Sequence, residues 1–176
     1  MTSKPTGVRS SPGRIGGNLE QTQAHYLAAE AGHASERPFL LAAQPSLFDP
    51  SRAPQGGQTL WVYAHVPPGT DASYVRVIEN TLERAAPGFK RLRRYRHVTT
   101  PTDFQAFSPV FQGGDVFGGK ADLRGLLIRP VPTAQPWRTP DPQVLLCSAS
   151  TAPGGGVHGM SGYHAALAAL NQLNSP

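Results

Sequence analysis

The sequence has one cysteine among its 176 residues, and none of its apolar runs approaches the roughly 20 residues needed to cross a bilayer. The single thiol, Cys147, excludes an internal disulfide framework and favours a cytoplasmic location over secretion. The first residues are basic but lack the apolar stretch of a signal peptide. We therefore expect a cytoplasmic protein that is soluble or at most peripheral to a membrane.

Acidic residues are in the minority, since 11 Asp and Glu face 16 Lys and Arg and leave a net charge of +5. Much of the excess lies in one basic run, formed by Lys90, Arg91, Arg93, Arg94 and Arg96. We interpret it as the solvated end of an element, with contact to phosphate or acidic lipid as the alternative. Tyr95 is the only aromatic residue within the run, so the stacking pattern of a nucleic-acid module is missing and no nucleic-acid partner is expected.

Glycine and proline are frequent, with 19 and 18 residues, yet they stay below the level of a low-complexity chain. The hydrophobic content of 39% can supply a core. A folded, loop-rich domain is therefore expected. Residues 1–14 are rich in Ser, Pro and Gly and lack periodicity, which predicts a disordered lead-in.

Hydrophobic periodicity predicts the elements of the first half. Asn18 is a candidate cap for the first helix, and Val75, Ile78 and Leu82 line one face of the second. We expect helices at 19–31, 71–86 and 102–107, strands at 39–44, 59–66 and 94–100, and a short apolar segment at 123–128. The three strands are expected to form a mixed sheet backed by the helix at 71–86.

The end of the chain predicts a strand at 143–149, a glycine-rich turn and a helix at 159–173. The first N–H groups of a helix have no intrahelical partners, and the helix dipole adds positive potential there. Glycines let the backbone approach a flat or charged ligand closely. The pattern suits a cofactor phosphate or the carbonyl edge of a ring system. A plain helix start after a flexible loop explains the three adjacent glycines equally well.

Other motif matches and reactive residue types in the sequence do not indicate a functional site. Residues 114–120 match G-x-x-x-x-G-K, but Ala121 stands where a magnesium-binding Ser or Thr belongs. The six histidines show no metal-ligand spacing, so no metal site is expected. No G-x-S-x-G motif signals a hydrolase nucleophile. Cys147 lies in the predicted apolar strand and is expected to be inert core.

Residues 146–166 resemble the C-terminal flavin motif of the phytoene desaturase-like FAD-dependent oxidoreductases, which belong to the amine oxidase-like superfamily. Upstream stretches also look like the substrate-domain half of that family. They are Arg37-Pro-Phe-Leu-Leu, Gln44-Pro-Ser-Leu-Phe-Asp-Pro50, Gly113-Gly-Asp115, Arg129-Pro-Val131 and Arg138-Thr-Pro140.

The resemblance implies an α/β to α+β fold. Residues 15–140 would be a partial substrate domain, a mixed sheet with flanking helices. Residues 141–176 would be the closing strand–glycine turn–helix unit of an FAD-binding domain. The N-terminal Rossmann half, with its GxGxxG fingerprint, is absent from this sequence, so the adenosine side of FAD has no site in it.

By position, the resemblance assigns the cofactor contact to Ser150, Thr151, Gly154, Gly155, Gly156, Val157, His158 and Gly159. His158 is the one side chain there that could act as an acid or base near neutral pH, and a structural role is equally open. No residue can be nominated as catalytic acid or base.

The implied function is hydride transfer from an apolar small-molecule substrate to FAD, with this chain as the C-terminal portion. Two alternatives stay open. The chain could be non-catalytic, truncated or dependent on a separate FAD-domain chain, with an exposed apolar face that favours self-association. It could instead be a basic binding protein that works through residues 90–96.

Overall fold

The computed structural model describes residues 13–119, 122, 124–125 and 128–174. The chain divides into two compact units, of which the first ends at Asp103 and the second begins at Phe104. The regular elements in chain order are β1 (Gly13–Ile15), α1 (Leu19–Glu30), β2 (Leu40–Ala43), β3 (Trp61–Ala64), α2 (Val75–Ala85), α3 (Phe89–Leu92), α4 (Pro101–Phe107) and α5 (Met160–Leu173).

The helix α1 begins at a capping box. Asn18 accepts a hydrogen bond from the Gln21 N–H at 2.9 Å, and the Gln21 side chain accepts from the Asn18 N–H at 3.2 Å. Two N–H groups that lack intrahelical partners are satisfied in this way. The helix predicted at 19–31 and its Asn18 cap are confirmed.

The three strands of the first unit form an antiparallel sheet in the order β1–β2–β3. Leu40, which is fully buried, lies opposite Ala64 of β3, and Leu41 lies opposite Arg14 of β1. The predicted strands at 39–44 and 59–66 are confirmed. Gly13 and Arg14, which the predicted disordered lead-in included, belong to β1, and the rest of that prediction lies outside the described residues.

The predicted mixed sheet is wrong in its third member. Residues 94–100 form no strand, and β1 occupies the second edge of the sheet instead. The physical reason is the charge of this segment. Arg93 and Arg96 both pair with the carboxylate of Glu79 on α2. These side-chain ion pairs, and not the backbone hydrogen bonds of a sheet, attach the segment to α2.

The helix predicted at 71–86 is confirmed as a 3-10 turn at Ala72–Tyr74 followed by α2. Asp71 caps the turn by accepting from the Ser73 N–H at 2.6 Å. The chain leaves α2 through Gly88, whose φ of 93° is left-handed and favours glycine. The short helix predicted at 102–107 is confirmed as α4, and the one at 159–173 is confirmed as α5.

The predicted strand at 143–149 is wrong. Leu145 makes one isolated bridge to Arg138, and the Leu146 N–H donates to the Trp137 carbonyl at 2.8 Å. The pairing cannot extend, because the opposing segment contains Pro136, Pro140 and Pro142, which lack the N–H groups that a ladder requires. Cys147 is consequently exposed rather than buried in a core.

The predicted apolar segment at 123–128 cannot be followed throughout, because residues 123, 126 and 127 lie outside the described residues. No helix within the described ranges combines the length and the apolar character that a membrane span requires.

Glu79 is the buried anion of the first unit, with 8% of its surface exposed. Burial alone would raise its pKa, but hydrogen bonds and charges from Arg93 and Arg96 outweigh burial and hold the pKa below its ordinary value. Arg96 Nη1 lies 3.0 Å from the same carboxylate oxygen that Arg93 contacts. The carboxylate therefore fixes residues 93–96 against α2.

His25 is the one buried residue of α1 and is only 1% exposed. Within the described part of the chain, neither of its ring nitrogens has a hydrogen-bond partner. Burial lowers the pKa of His25, and the neighbouring His65 lowers it further. Burial also lowers the pKa of His65. Both imidazoles are therefore held neutral where α1 packs in the first unit.

We predict that His25→Leu stabilises the chain against acid. A buried polar group without a partner costs about 1–3 kcal/mol, which leucine removes. The folded-state pKa values of His25 and His65 are lowered. The stability that the two neutral imidazoles contribute is therefore complete above the ordinary pKa of about 6.5, and it decreases as the pH falls below that value. Urea unfolding at pH 7 and pH 5 should show a smaller loss for the variant. An equal loss in His25→Leu and in a control at the exposed His33, His33→Leu, would contradict the assignment.

We predict that Glu79→Gln lowers the free energy of unfolding at pH 7 by about 1–3 kcal/mol, because the two arginines lose a charged acceptor. A lowered carboxyl pKa gives stability that is present above about pH 4.5 and disappears as the pH falls through the folded-state value. The difference from wild type should therefore shrink at pH 3. The matched control is Glu36→Gln, an equal charge change at an exposed site. A destabilisation that persists unchanged at pH 3 would count against the ion pairs as its cause.

Candidate functional site

The glycine-rich turn before α5 leads into a helix whose cap residue is a glycine. Gly159, with a φ of 64°, occupies the cap position and offers no side chain. His158 Nδ1 instead accepts a hydrogen bond from the Met160 N–H at 3.0 Å. The arrangement leaves the positive end of the α5 dipole beside backbone rather than beside a capping carboxylate.

Thr151 anchors the turn and is fully buried. Its hydroxyl and its N–H both donate to the Ser148 carbonyl, at 2.8 and 3.0 Å. Its own carbonyl accepts from the Gly154 N–H at 2.8 Å and from the Ser161 hydroxyl at 3.3 Å. Since Ser161 belongs to α5, these bonds connect the turn to the first turn of the helix.

Trp137 provides a second connection between the turn and α5. Its indole N–H donates to the Ala152 carbonyl at 3.1 Å. Its ring stacks on His164 of α5, with 4.7 Å between ring centroids. The turn is therefore held by hydrogen bonds of Thr151 and by the indole of Trp137.

Arg129 lies beside the buried Gly154 of the turn and is 5% exposed. Its Nη1 donates to the Ala149 carbonyl at 2.9 Å and to the Phe117 carbonyl at 3.3 Å. A Cβ built on Gly154, where φ is 101°, would lie 2.8 Å from the same nitrogen. Gly154 must therefore be glycine for two reasons, its left-handed backbone and the guanidinium beside it.

The next two glycines meet different neighbours. A Cβ on Gly155 would lie 2.8 Å from the ring of Phe117, and one on Gly156 would lie 2.6 Å from the ring of His158. Gly156 is exposed and is not among the glycines with positive φ. A side chain at Gly156 therefore requires only that His158 move, whereas one at Gly154 would disturb the buried side of the turn.

A small cavity of about 110 Å³ opens where the turn meets α5. Glycines 154–156, His158, the start of α5 and the exposed Cys147 line it. Its volume admits the edge of a ring system rather than a whole one. A larger space of about 600 Å³ lies in the first unit, beside Pro67, Asp71 and Arg76, but it is wide open and polar and contains none of the predicted site residues.

The structure brings the predicted residues together in one turn, with two of them buried and the rest more accessible. Thr151 and Gly154 are buried and shape the turn, and Ser150 lies against Gly118. The residues exposed on its outer surface are Gly155, Gly156, Val157, His158 and Gly159. Within the described ranges, no group of three or more His, Cys, Asp or Glu side chains comes together.

Sequence reasoning missed the residues that support the turn, above all Arg129 and Trp137. In the sequence Arg129 stands out only as part of the Arg129-Pro-Val131 stretch that looks like the family. The sequence offers one signal for Arg129, because glycine-containing stretches lie both before it, at 118–119, and after it, at 154–156. Nothing in the sequence indicated that the arginine is buried against both.

The chain is similar to curated oxidoreductases over most of its length. It is 32% identical over 159 residues to pyridine nucleotide-disulfide oxidoreductase domain-containing protein 2 of Rattus norvegicus, which covers 84% of the chain and 27% of the relative. The protein of the same name from Mus musculus is 31% identical with the same coverage. A 4,4'-diapolycopen-4-al dehydrogenase of Metabacillus indicus is 27% identical over 150 residues, covering 81% of the chain and 29% of the relative.

No protein-family model and no solved structure matches the chain. The chain spans little more than a quarter of the length of the curated relatives that it matches. Over that span it is related in sequence to proteins named as oxidoreductases and dehydrogenases.

Proposed function

We propose that this chain is the flavin-contacting C-terminal portion of a phytoene desaturase-like FAD-dependent oxidoreductase. The observation that carries the proposal is the turn at 150–159, which presents exposed glycine backbone beside the start of α5, where the cap residue is a glycine. Such backbone suits a flat ligand whose edge carries negative charge. The relationship to proteins named as oxidoreductases supports the same assignment.

In this proposal the site accommodates one edge of a flavin. The cavity beside Gly156 and His158 has about 110 Å³, which leaves room for the carbonyl edge and not for the whole isoalloxazine. In this proposal Gly155, Gly156 and Val157 contact the ring. The buried residues Thr151 and Gly154 keep the turn in shape. FAD supplies the hydride-accepting chemistry, and the protein supplies binding and orientation.

The adenosine side of FAD is proposed to bind to a segment outside these 176 residues, because the one G-x-G-x-x-G match in the sequence, at residues 154–159, directly follows no strand among the described residues and has no acidic residue after it. The outer face of α5 supports this part of the proposal. Tyr163, Leu167 and Leu170 follow one another at helical spacing and are all exposed. We propose that this apolar face packs on the FAD-binding segment, in the same chain or in a partner chain.

The proposed substrate is an apolar small molecule, from which a hydride passes to FAD. One of the relatives is named as a dehydrogenase of 4,4'-diapolycopen-4-al, and its name supports this substrate class. The chain alone would then be a non-catalytic, partner-dependent component. The alternative of a basic binding protein is less well supported, because two cations of the 90–96 run, Arg93 and Arg96, already pair with Glu79.

We predict that the purified chain binds riboflavin and FAD with dissociation constants that agree within about threefold, measured from the quenching of flavin fluorescence. The two constants should agree because, in this proposal, only the ring system that both ligands share contacts these residues. Gly156→Val should weaken binding of both at least about tenfold, equivalent to 1.4 kcal/mol, because the new methyl groups occupy the ligand edge. Because Gly156 is exposed and its φ is not left-handed, the variant should keep its fold by circular dichroism.

The control for this experiment is Lys90→Ala, which removes a cation from the basic run in the first unit and should leave both dissociation constants unchanged. Unaltered flavin binding in a folded Gly156→Val variant, or no binding by the wild type at millimolar flavin, would contradict the proposed site.

A further inference from the structure

We propose that part of the basic run is a docking surface for a bilayer that contains anionic phospholipids. This part is called the basic surface below and consists of Arg91, Leu92, Arg94 and Tyr95, all of which are exposed. The inference goes beyond the proposed function and does not depend on it, because the basic surface belongs to the first unit and the glycine turn to the second.

The start of the segment that carries the basic surface is fixed to α2 by hydrogen bonds from its backbone. The Glu83 carboxylate accepts from the Gly88 N–H at 2.7 Å and from the Lys90 N–H at 2.8 Å. Both donors stand at the beginning of α3, where N–H groups lack an acceptor within the helix. The short helix is therefore attached to α2 through its first turn, while Leu92 at its end keeps 65% of its surface exposed.

The end of the segment is fixed to α2 by ion pairs. Glu79, one helical turn earlier on α2, pairs with Arg93 and Arg96. Arg94 and Tyr95 stand between these two arginines in the sequence, and Tyr95 keeps 82% of its surface exposed. The basic surface is thus carried by a segment that is anchored on both sides.

The two cations of the basic surface have no acidic partner among the described residues. Residues 90–97 include no Asp or Glu, and neither Arg91 nor Arg94 pairs with a carboxylate in the described part of the chain. Glu79 is already engaged with two other arginines. The guanidinium groups of Arg91 and Arg94 can therefore bind phosphate, whose oxygens match their planar array of donors.

The apolar members of the basic surface favour a bilayer over other anionic partners. Leu92 and Tyr95 are exposed next to the two arginines in the sequence. An anionic bilayer accommodates both kinds of side chain, because its phosphates attract cations and its headgroup boundary accepts aliphatic and aromatic groups. Binding to a nucleic-acid backbone or to free phosphate is electrostatic and gains nothing from an exposed leucine. The basic surface therefore fits the headgroup region of an anionic membrane.

The test is co-sedimentation of the purified chain with vesicles of two compositions, phosphatidylcholine alone and an equimolar mixture with phosphatidylserine. The chain should bind the mixed vesicles at least about tenfold more tightly, since the two lipids differ in net charge. Added salt should weaken this binding, because it screens exposed charges.

The charged half of the basic surface is tested by the double variant Arg91→Gln with Arg94→Gln. It should bind the mixed vesicles at least about tenfold more weakly, because each cation near an anionic bilayer contributes about fivefold. The matched control is Arg124→Gln with Arg138→Gln, which removes the same charge from exposed sites of the second unit. The control should stay within about twofold of the wild type. All four positions are exposed, so both proteins should keep the wild-type circular dichroism spectrum.

The apolar half is tested by Leu92→Ser with Tyr95→Ser, which keeps every charge. This variant should bind the mixed vesicles at least about fivefold more weakly, because membrane binding scales with the apolar area that is inserted. Affinity equal to that of the wild type would overturn the bilayer as the occupant, since purely electrostatic attraction would then explain the binding.

Equal binding to both kinds of vesicle, or wild-type affinity in the arginine variant, would also overturn the inference. So would an equal loss in the control, because it would assign the attraction to net charge. Displacement by millimolar inorganic phosphate, or tighter binding of a single-stranded oligonucleotide through the same arginines, would overturn it in favour of another ligand. Should the double arginine variant not fold, Arg91→Gln and Arg94→Gln are measured singly, each with an expected loss of about fivefold. None of these outcomes bears on the flavin site, which is tested separately with riboflavin.

Discussion

The second unit depends on hydrogen bonds from side chains to backbone carbonyls. It has few regular elements, and the prolines around residue 140 cannot donate to a ladder, so the carbonyls of its loops need other partners. Arg129, Thr151 and Trp137 supply them at Phe117, Ala149, Ser148 and Ala152. These bonds give the glycine turn a defined shape even though glycine itself adds conformational freedom.

The glycine turn has a defined shape, and glycines 155, 156 and 159 expose backbone on its outer surface beside the side chains of Val157 and His158. The buried anchors Thr151 and Gly154 face inward, and the exposed backbone of Gly155 and Gly156 faces outward beside the start of α5. The relationship to curated oxidoreductases gives this surface a chemical context. The proposal of a flavin edge unites the two observations, because a flavin is flat and its carbonyl edge accepts hydrogen bonds and charge.

The helices were predictable because their signals are local. Asn18 and Gln21 form a capping box within four residues, and the apolar spacing of α2 is visible in its own sequence. The absence of strands at 94–100 and 143–149 was not predictable, because the competing interactions come from elsewhere in the chain. Glu79 pairs with Arg93 and Arg96, and the prolines that limit pairing at Leu145 stand in the opposing segment.

In the site, too, local features were predictable and long-range contacts were not. The glycine turn could be found from its residues, whereas the burial of Arg129 could not, since it requires Phe117 and Ala149 to converge on one guanidinium. The exposure of Cys147 follows from the missing strand and was likewise outside the reach of sequence patterns.

Contact between the turn at 150–159 and a flavin can be tested by mapping backbone amide chemical shifts during a riboflavin titration of the isotopically labelled chain. We expect the largest changes on the amides of residues 154–162, with first-unit amides unaffected. Changes centred instead on the open space beside Pro67, Asp71 and Arg76, or spread evenly over both units, would contradict it.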